Sequence, residues 1–206
     1  MKNLNLALYL VTDHKDDEEK FLKTIEDAIK GGVTIVQLRE KTAGTLDFYN
    51  LALKVKEITK KYNAPLIIND RIDIALAIDA DGVHVGQSDM PCEIARKLIG
   101  DDKILGVSAS TTDEAIKAEK DSADYIGTGA IFPTSTKDDA EHVEKKDLKE
   151  IVKSINIPVV AIGGITLDNA YELKDSGIAG LSVVSAIMSS DNPKKSSEKL
   201  LKIFNS

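Results

Sequence analysis

The amino-acid sequence predicts an α/β fold, a single (β/α)8 barrel of the TIM type over residues 1–206. Eight short segments, nearly continuous in apolar residues, alternate with segments of helical spacing, and each strand–helix unit takes roughly 20 to 35 residues. Strands that alternate with helices form a parallel sheet, and continuous apolar strands are covered on both faces. Eight units favour a closed barrel, and the lack of a dinucleotide-type glycine pattern disfavours an open, doubly wound sheet.

The predicted strands are runs rich in leucine and β-branched residues. Runs of this kind, bounded by polar or turn residues, are typical of strands in a buried parallel sheet. In chain order they are LALYLVTD (6–13), TIVQLRE (34–40), PLIIND (65–70), GVHVG (82–86), ILGVSAS (104–110), DYIGTGAIF (124–132), PVVAIGGI (158–165) and GLSVVSAI (180–187).

Helices are predicted between the strands where apolar residues recur at spacings of three and four. Gly31 and Gly32 predict the end of the first helix. Pro91 lies where the first turn of the helix after strand four would begin, and Thr111 with Glu114 has the spacing of a capping box. The shorter predicted helices include IDIALAI (72–78), LDNAYELKDSG (167–177) and the final NPKKSSEKLLKIF (192–204).

Composition restricts the classes of protein to which the chain can belong. It has 206 residues, 42% of them hydrophobic, enough for one large core. The net charge is −7 and no long run of lysine and arginine occurs, so we expect no nucleic-acid partner. Cys92, the only cysteine, fits a reducing compartment. Without an apolar run of about 18 residues or a signal peptide, we expect a cytoplasmic protein with no membrane partner.

Polar and charged residues concentrate at the carboxyl ends of the predicted strands. They occupy residues 12–14, 37–41, 69–71, 86–89, 134–137, 163–164 and 184–186, with Ser108 and Ser110 after strand five. In a parallel barrel the chemistry lies at this end, where the loops after all eight strands meet. A purely structural domain has little reason for such a concentration, so the pattern predicts a binding or catalytic site there.

A glycine pair and a serine follow the last two predicted strands. Gly163 and Gly164 precede a helix, and Ser185 with Ala186 follows the apolar core of the next strand. Glycines let backbone N–H groups approach an anion near a helix N-terminus, and a phosphate site after strands seven and eight is frequent in this fold. The alternative is a tight strand-to-helix turn without a ligand. Because both loops carry the pattern, the phosphate site is favoured.

Asp70 and Asp89 end the third and fourth predicted strands. Each could simply cap the helix that follows. Neighbouring strands lie about 4.8 Å apart, however, so the two carboxylates could instead approach one cation. Mg²⁺ suits such a pair, since it takes one or two carboxylates together with phosphate oxygens and water. Spacing alone does not choose between paired caps and a metal site.

Three cations favour the metal site. Arg39 and Lys41 end the neighbouring strand two and suit phosphate, the arginine as a bidentate fork and the lysine as a point charge. Lys137 adds a third cation from a polar loop. The alternative is that these cations form surface ion pairs with Glu40, Asp138 or Asp139. Two separate anion zones, this one and the glycine turns, predict a reaction that joins two phosphorylated substrates. Cys92 is expected to be a bystander, and His84 to face the core or a neighbour.

Seven blocks in chain order carry a resemblance to a known family. They are QLREK (37–41), NDR (69–71), GVHVGQSDMP (82–91), GVSAS (106–110), GAIFPTSTKDDA (129–140), AIGGI (161–165) and VVSAI (183–187). The blocks run from residue 37 to residue 187, and in their order along the chain they resemble the thiamine-phosphate synthase (thiamine-phosphate pyrophosphorylase) family. The sequence has Ala130 where the usual GPIFPT pattern has proline. Ala130 supplies no reacting group, so the resemblance is little affected.

The resemblance implies a reaction and its site residues. Such enzymes are (β/α)8 barrels that use Mg²⁺ and join hydroxymethylpyrimidine diphosphate to hydroxyethylthiazole phosphate, giving thiamine phosphate and pyrophosphate. It implies that Asp70 and Asp89 hold Mg²⁺ and that catalysis falls to Arg39, Lys41, Ser108 and Lys137. The resemblance implies that the pyrimidine diphosphate is bound by Gln37, Leu38, Arg39, Glu40, Lys41, Asn69, Ser108 and Lys137. It implies that the thiazole phosphate is bound by Thr134, Ser135, Thr136, Gly164, Val184 and Ser185.

The mechanism expected from this chemistry is a dissociative substitution without a protein nucleophile. Pyrophosphate departs, the aminopyrimidine stabilises a benzylic-type cation, and the thiazole nitrogen attacks it, with the loop at 133–141 as a lid. Two alternatives are a thiazole tautomerase, which loses part of the diphosphate and metal apparatus, and a non-catalytic thiazole-phosphate-binding protein. Both aspartates and PTSTK (133–137) favour the synthase. The sequence leaves the oligomeric state open, a homo-oligomer included.

Overall fold

The computed structural model of the protein describes residues 4–13, 17–134 and 142–206. Eight parallel strands close into a barrel in chain order, which confirms the predicted (β/α)8 fold. The strands are β1 (Leu8–Val11), β2 (Ile35–Leu38), β3 (Leu66–Asn69), β4 (Gly82–Val85), β5 (Ile104–Ser108), β6 (Tyr125–Thr128), β7 (Val159–Ile162) and β8 (Gly180–Val183).

Helices alternate with the strands and pack around the barrel. They are α1 (Glu18–Lys30), α2 (Thr45–Lys61), α3 (Ile72–Ala77), α4 (Cys92–Ile99), α5 (Thr112–Lys120), α6 (Lys145–Ser154), a 3-10 helix (Ala170–Ser176), α7 (Ser185–Met188) and α8 (Pro193–Asn205). The last helix packs against α1, so the two ends of the chain close the outer ring together. Within the described ranges, no helix has the length and apolar character needed to cross a membrane.

The strands are shorter than the apolar runs predicted. Each is four or five residues long, and the polar residues that follow leave the hydrogen-bonded ladder as the chain turns towards the next helix. The prediction that strand eight continues to Ile187 is wrong, because Ser185–Met188 forms α7. The register pairs Val11 with Gln37, and Asn69 with His84. The polar strand ends therefore lie side by side at one end of the barrel.

The helix after β7 is a 3-10 helix rather than an α-helix. Its buried residues are Ala170, Leu173 and Ser176, which lie three apart. That spacing keeps one side of a 3-10 helix facing the core, since this helix has three residues per turn. Gly177, in the left-handed conformation, ends it.

The predicted helix ends that can be checked are confirmed. Gly31 is the C-cap of α1, and Pro91 immediately precedes α4. Thr111 and Glu114 form a complete capping box at the start of α5, each side chain bonded to the backbone of the other. These local features depend on residues close in sequence, which is why spacing alone predicts them.

The barrel interior holds its own small core, separate from the larger core beneath the helices. Tyr9, Ile35, Ile67, Tyr125 and Val160 belong to it and are almost completely buried. Gly106 on the inner face of β5 makes room for Tyr125. A Cβ at Gly106 would lie 2.1 Å from Cζ of Tyr125, well inside van der Waals contact. The ring of Tyr125 therefore fills the space that a side chain from β5 would otherwise occupy.

Candidate active site

One cavity of about 430 Å³ opens at the carboxyl ends of the strands and descends to Tyr9 and Tyr125 inside the barrel. Strands and loops from around the whole barrel contribute to its wall. Of the site residues predicted from sequence, it is lined by Gln37, Arg39, Lys41, Asn69, Asp70, Asp89, Ser108, Thr134, Gly164, Val184 and Ser185. The two predicted anion zones thus share one continuous cavity.

Two of the predicted site residues that the structure describes, Leu38 and Glu40, do not line it. The side chain of Leu38 is fully buried in the outer core, on the opposite face of β2 from Gln37. Glu40 is turned into its own loop, where Oε1 accepts hydrogen bonds from the N–H groups of Thr42 (2.7 Å) and Ala43 (3.1 Å). Ser135, Thr136 and Lys137 lie outside the described residues.

The cations after β2 differ in their partners. Lys41 Nζ lies 2.6 Å from Oδ2 of Asp70. The half-buried guanidinium of Arg39 makes no hydrogen bond or ion pair with any residue that the structure describes, while its backbone N–H donates to Oγ1 of Thr12 at 3.1 Å. Neither cation therefore forms the alternative ion pair with Glu40, and the other two partners considered, Asp138 and Asp139, lie outside the described residues. Arg39 presents its donors to the cavity.

Asp70 is placed by its backbone rather than by a helix. It has φ of +60°, in the left-handed region that aspartate tolerates better than most residues, and its N–H donates to the carbonyl of His84 at 2.8 Å. The N-cap of α3 is Arg71, and no side chain caps that helix. The reading of Asp70 as a helix cap is wrong.

Asp89 is held by the loop that follows β4. Its Oδ2 accepts the Gly86 N–H at 2.8 Å, and its own N–H donates to the carbonyl of Gly86 at 3.2 Å. No side chain caps α4, so the cap reading is wrong for this residue too. A Cβ at position 86 would lie 3.0 Å from Oδ2 of Asp89, so glycine lets the carboxylate fold back onto the loop.

The two carboxylates interact with each other. Burial raises the pKa of Asp70, the adjacent Asp89 carboxyl raises it further, and the Lys41 ammonium acts in the opposite direction. A carboxylate pair disfavoured in this way gains from a cation, and two carboxylates suit Mg²⁺ when phosphate and water complete its shell. Across the described ranges, no cluster of three or more His, Cys, Asp or Glu side chains is available to hold a metal. The donor set fits a metal shared with a substrate.

The glycine turn after β7 is shaped by the neighbouring loop. Gly163 and Gly164 have φ of +98° and +63°, and a Cβ on Gly164 would lie 2.4 Å from the carbonyl oxygen of Pro133. The carbonyls of Ile162 and Gly163 accept N–H groups from the segment after β6, at 3.0 and 3.1 Å. Close packing alone therefore requires glycine here. The predicted phosphate role of this turn stays a prediction, and both glycines line the same cavity as Ser185, the first residue of α7.

The sequence reasoning missed a chain of polar side chains inside the barrel. Gln37 Nε2 donates to Tyr9 Oη at 2.8 Å, and Tyr9 Oη lies 2.6 Å from Tyr125 Oη. Tyr125 Oη is 3.0 Å from His84 Nδ1, and His84 Nε2 is 2.9 Å from Ser108 Oγ. The expectation that His84 faces a neighbour is confirmed, and one of its two partners, Ser108, is a predicted site residue. Side chains alternate between the two faces of a strand, and polar side chains such as Gln37 and Ser108 were predicted to reach the site. This alternation could have indicated which other side chains point into the barrel.

Cys92 is separate from this site, as predicted. Its thiol is buried beneath α4 and directed at the backbone carbonyl of Asp121, with Sγ to oxygen at 3.4 Å. Burial raises the pKa of the thiol to about 11, so it stays protonated at neutral pH. A buried, protonated thiol is a poor nucleophile.

Comparison with known proteins gives one consistent result. Residues 8–187 match the profile of a family described as thiamine monophosphate synthase. The chain is 73% identical over 204 residues to the thiamine-phosphate synthase of Methanobrevibacter smithii, covering 99% of this chain and 98% of that one. It is 60% identical over 202 residues to that of Ruminiclostridium cellulolyticum, covering 98% and 96%. The solved thiamine phosphate pyrophosphorylase from Pyrococcus furiosus superposes with a TM-score of 0.89 at 41% identity, covering 98% and 96%.

Proposed function

The chain belongs to the thiamine monophosphate synthase family and is an enzyme of the transferase class, and we propose that it joins hydroxymethylpyrimidine diphosphate to hydroxyethylthiazole phosphate in an Mg²⁺-dependent reaction. The products are thiamine phosphate and pyrophosphate. One observation carries the proposal: Asp70, Asp89, Arg39 and Lys41 meet at the mouth of a single cavity that also reaches the glycine turns. A diphosphate and a second, monophosphorylated substrate can therefore share one site.

Asp70 and Asp89 would hold the Mg²⁺, with the diphosphate and water supplying the other ligands. When bound, the ion neutralises charge that develops on the departing pyrophosphate. Lys41 now forms an ion pair with Asp70. In the presence of metal and diphosphate we expect the Lys41 ammonium to exchange that carboxylate for phosphate oxygens, since half of its side chain is exposed and free to move.

The remaining polar groups at this end bind and orient the diphosphate. Arg39 offers two parallel N–H donors, a geometry that matches two phosphate oxygens. Asn69 and Ser108 line the same wall and would donate to further oxygens. Lys137 would add a third cation, and that role stays a prediction because the residue lies outside the described part of the chain.

The reaction is a dissociative substitution in this proposal. The bond from the pyrimidine methylene carbon to the pyrophosphate oxygen breaks, the pyrimidine ring stabilises the resulting cation, and the thiazole nitrogen forms the new C–N bond. Thr134, Gly164, Val184 and Ser185 would hold the thiazole phosphate, with Ser135 and Thr136 beyond the described residues. The barrel wall supports this course by orienting both substrates and excluding water that would trap the cation.

No covalent intermediate with the protein is needed. Cys92 is buried away from the cavity and protonated. Ser108 does lie 2.9 Å from a histidine nitrogen, an arrangement that in other enzymes activates serine. A histidine activates serine only when its unprotonated nitrogen accepts the hydroxyl hydrogen, so the direction of the hydrogen bonds on His84 decides its role.

The deciding experiment is incubation of the protein with both phosphorylated substrates, with and without Mg²⁺, followed by mass spectrometry. Formation of the joined product only with Mg²⁺ supports the proposal. Rearrangement of a thiazole substrate without joining would identify a tautomerase. Calorimetric binding of the thiazole phosphate with no turnover, even with Mg²⁺ present, would identify a binding protein.

A further inference from the structure

We propose that His84 and Tyr125 are positioning residues that fix Ser108 as a hydrogen-bond donor into the cavity. They do so through a chain of hydrogen bonds with one direction, from Gln37 through Tyr9, Tyr125 and His84 to Ser108. The acceptor for Ser108 would be an oxygen of the departing pyrophosphate, and this part of the inference rests on the proposed function. The direction of the chain does not, because it is a property of the protein alone.

The first link sets the direction. Gln37 presents Nε2 to Tyr9, and an amide nitrogen can only donate, so the phenol oxygen of Tyr9 accepts. Tyr9 must then give its own hydroxyl hydrogen to another group, because it is 1% exposed and a buried donor without an acceptor costs about 1–3 kcal/mol. Within the described residues, the acceptor at hand is the oxygen of Tyr125, 2.6 Å away.

The next links follow from the same rule. Tyr125 accepts from Tyr9 and is completely buried, so it donates to Nδ1 of His84, 3.0 Å away. Burial raises the pKa of both tyrosines, so each phenol keeps the hydrogen that it donates. A nitrogen that accepts carries no hydrogen. In the neutral imidazole the hydrogen therefore lies on Nε2, which donates to Ser108 Oγ at 2.9 Å.

This direction is opposite to that of a serine–histidine catalytic pair. There the third residue accepts from Nδ1–H, and the bare Nε2 takes the hydroxyl proton. Here Nδ1 accepts and Nε2 donates, so Ser108 keeps its own hydroxyl hydrogen free to point elsewhere. Ser108 lines the cavity, and Nε2 of Gln87 donates to its carbonyl at 2.6 Å, which holds the backbone in place. The hydroxyl is directed to a ligand acceptor by a hydrogen bond alone, with no proton transferred.

The glycines of the inner face support the same arrangement. A Cβ at Gly106 would lie 2.5 Å from Nδ1 of His84, and a Cβ at Gly127 would lie 3.1 Å from its Cε1. Because neither glycine has a Cβ, the imidazole can lie over the inner faces of β5 and β6. It then reaches Tyr125 with one nitrogen and Ser108 with the other. Room for this ring is therefore built into β5 and β6.

The first test is ¹⁵N NMR of the imidazoles in the protein without substrates. The chain has three histidines, so comparison with His84→Gln assigns the signal of His84. We expect an unprotonated Nδ1 and a protonated Nε2. A hydrogen on Nδ1, or on both nitrogens, overturns the proposal, since the Gln37 amide would then be reversed or the histidine charged. This result does not depend on turnover, so it separates failure here from failure of the proposed function.

The second test uses two isosteric variants of the chain. Tyr125→Phe removes the donor to His84, so the tautomer should become mixed and kcat should fall about tenfold, with KM for the diphosphate changing less than twofold. Tyr9→Phe is the matched control. The buried hydroxyl of Tyr125 still needs an acceptor there, and Nδ1 of His84 lies 3.0 Å away, so the Nε2–H tautomer should persist. A single, unchanged tautomer in Tyr125→Phe would overturn the positioning role.

The third test asks whether a donor at His84 is what matters. His84→Gln keeps an N–H that can reach Ser108, whereas His84→Leu keeps the bulk and removes the donor. We expect kcat of His84→Leu to fall about 10²-fold, comparable with the loss of one donor in an oxyanion site, and His84→Gln to recover at least a third of that loss on a logarithmic scale. Equal losses in folded variants, verified by circular dichroism, would mean that His84 acts only through packing.

Discussion

The mouth of the cavity and the barrel interior beneath it are both polar, but their polar groups are of opposite kinds. At the mouth, Asp70, Asp89, Arg39 and Lys41 are charged and partly exposed, and one close ion pair joins Lys41 to Asp70. In the interior an uninterrupted series of hydrogen bonds joins five side chains without a formal charge: Gln37, Tyr9, Tyr125, His84 and Ser108. Charged groups in water exchange partners easily, whereas buried hydrogen bonds are expensive to break.

This contrast indicates that the mouth and the interior have different roles. The charged mouth can rearrange around a diphosphate and metal, since its present ion pair is only weakly stabilising. The neutral interior can hold an imidazole in one tautomer and a hydroxyl in one orientation. Changes at the mouth should therefore reduce activity and leave stability nearly unchanged, while changes in the interior should reduce both.

The largest expected effect is the loss of either carboxylate at the mouth. Asp70→Asn and Asp89→Asn should each reduce turnover by about 10²-fold or more and weaken its dependence on Mg²⁺. The denaturation midpoint should hardly change, because asparagine also tolerates the left-handed backbone at position 70. Steady-state rates across a Mg²⁺ titration measure this. Asp73→Asn is the matched control, because Asp73 forms an ion pair with Arg71 outside the cavity and should leave turnover intact. A near-normal rate at limiting Mg²⁺ would remove that aspartate from the metal site.

A smaller loss is expected at the guanidinium of Arg39, which has no ion-pair partner among the described residues. Arg39→Ala should reduce kcat/KM for the diphosphate by about 10- to 100-fold, because a cation that faces the phosphate is removed. Arg39→Lys should restore only part of the loss, since an ammonium cannot form the bidentate contact. Initial rates at varied diphosphate concentration decide the matter. Full recovery in the lysine variant would show that charge alone is sufficient.

In the interior, the expected effect is on stability as well as rate. Gly106→Ala places a methyl group 2.1 Å from the Tyr125 ring and should lower the free energy of unfolding by about 1–3 kcal/mol. Urea denaturation measures the loss. Gly127→Ala, whose methyl group would lie 3.1 Å from His84, should lose less. Equal stability of Gly106→Ala and the unaltered protein would show that the interior is loosely packed, against the contrast drawn above.

The smallest effect is expected in a charged cluster far from the mouth. Glu26 on α1 accepts hydrogen bonds from Lys61, the last residue of α2, and from Tyr62, which follows it. These two residues, with Lys30, lower the pKa of Glu26 to about 2. A lowered carboxyl pKa adds stability above the usual glutamate range, and the addition is lost as the pH falls towards 2. Glu26→Gln should therefore lower Tm slightly at neutral pH, with the difference vanishing near pH 2.

Activity of the same variant at neutral pH is a control. Turnover should not change, since Glu26 lies outside the cavity. A large loss of turnover would show that charge anywhere on the protein, rather than at the mouth, controls the reaction.

Much of the site could be predicted because the fold determines at which end of the barrel its residues lie. Once eight strands are predicted to be parallel, every residue that follows a strand must lie at the same end of the barrel. This places Asp70, Asp89, Arg39 and Ser108 together without knowledge of any contact. The same reasoning says nothing about which way a residue in a loop turns. Glu40 follows the right strand yet folds back onto its own loop.

Local sequence therefore determined the alternation of strands and helices, the capping box at Thr111 and the end of the barrel at which chemistry is expected. Tertiary structure alone decided the partners inside. Tyr9 and Tyr125 are 116 residues apart and meet only because the closed barrel brings the inner faces of β1 and β6 across from each other. Hydrogen bonds of this kind depend on distance in space, which the spacing of residues along the chain does not encode.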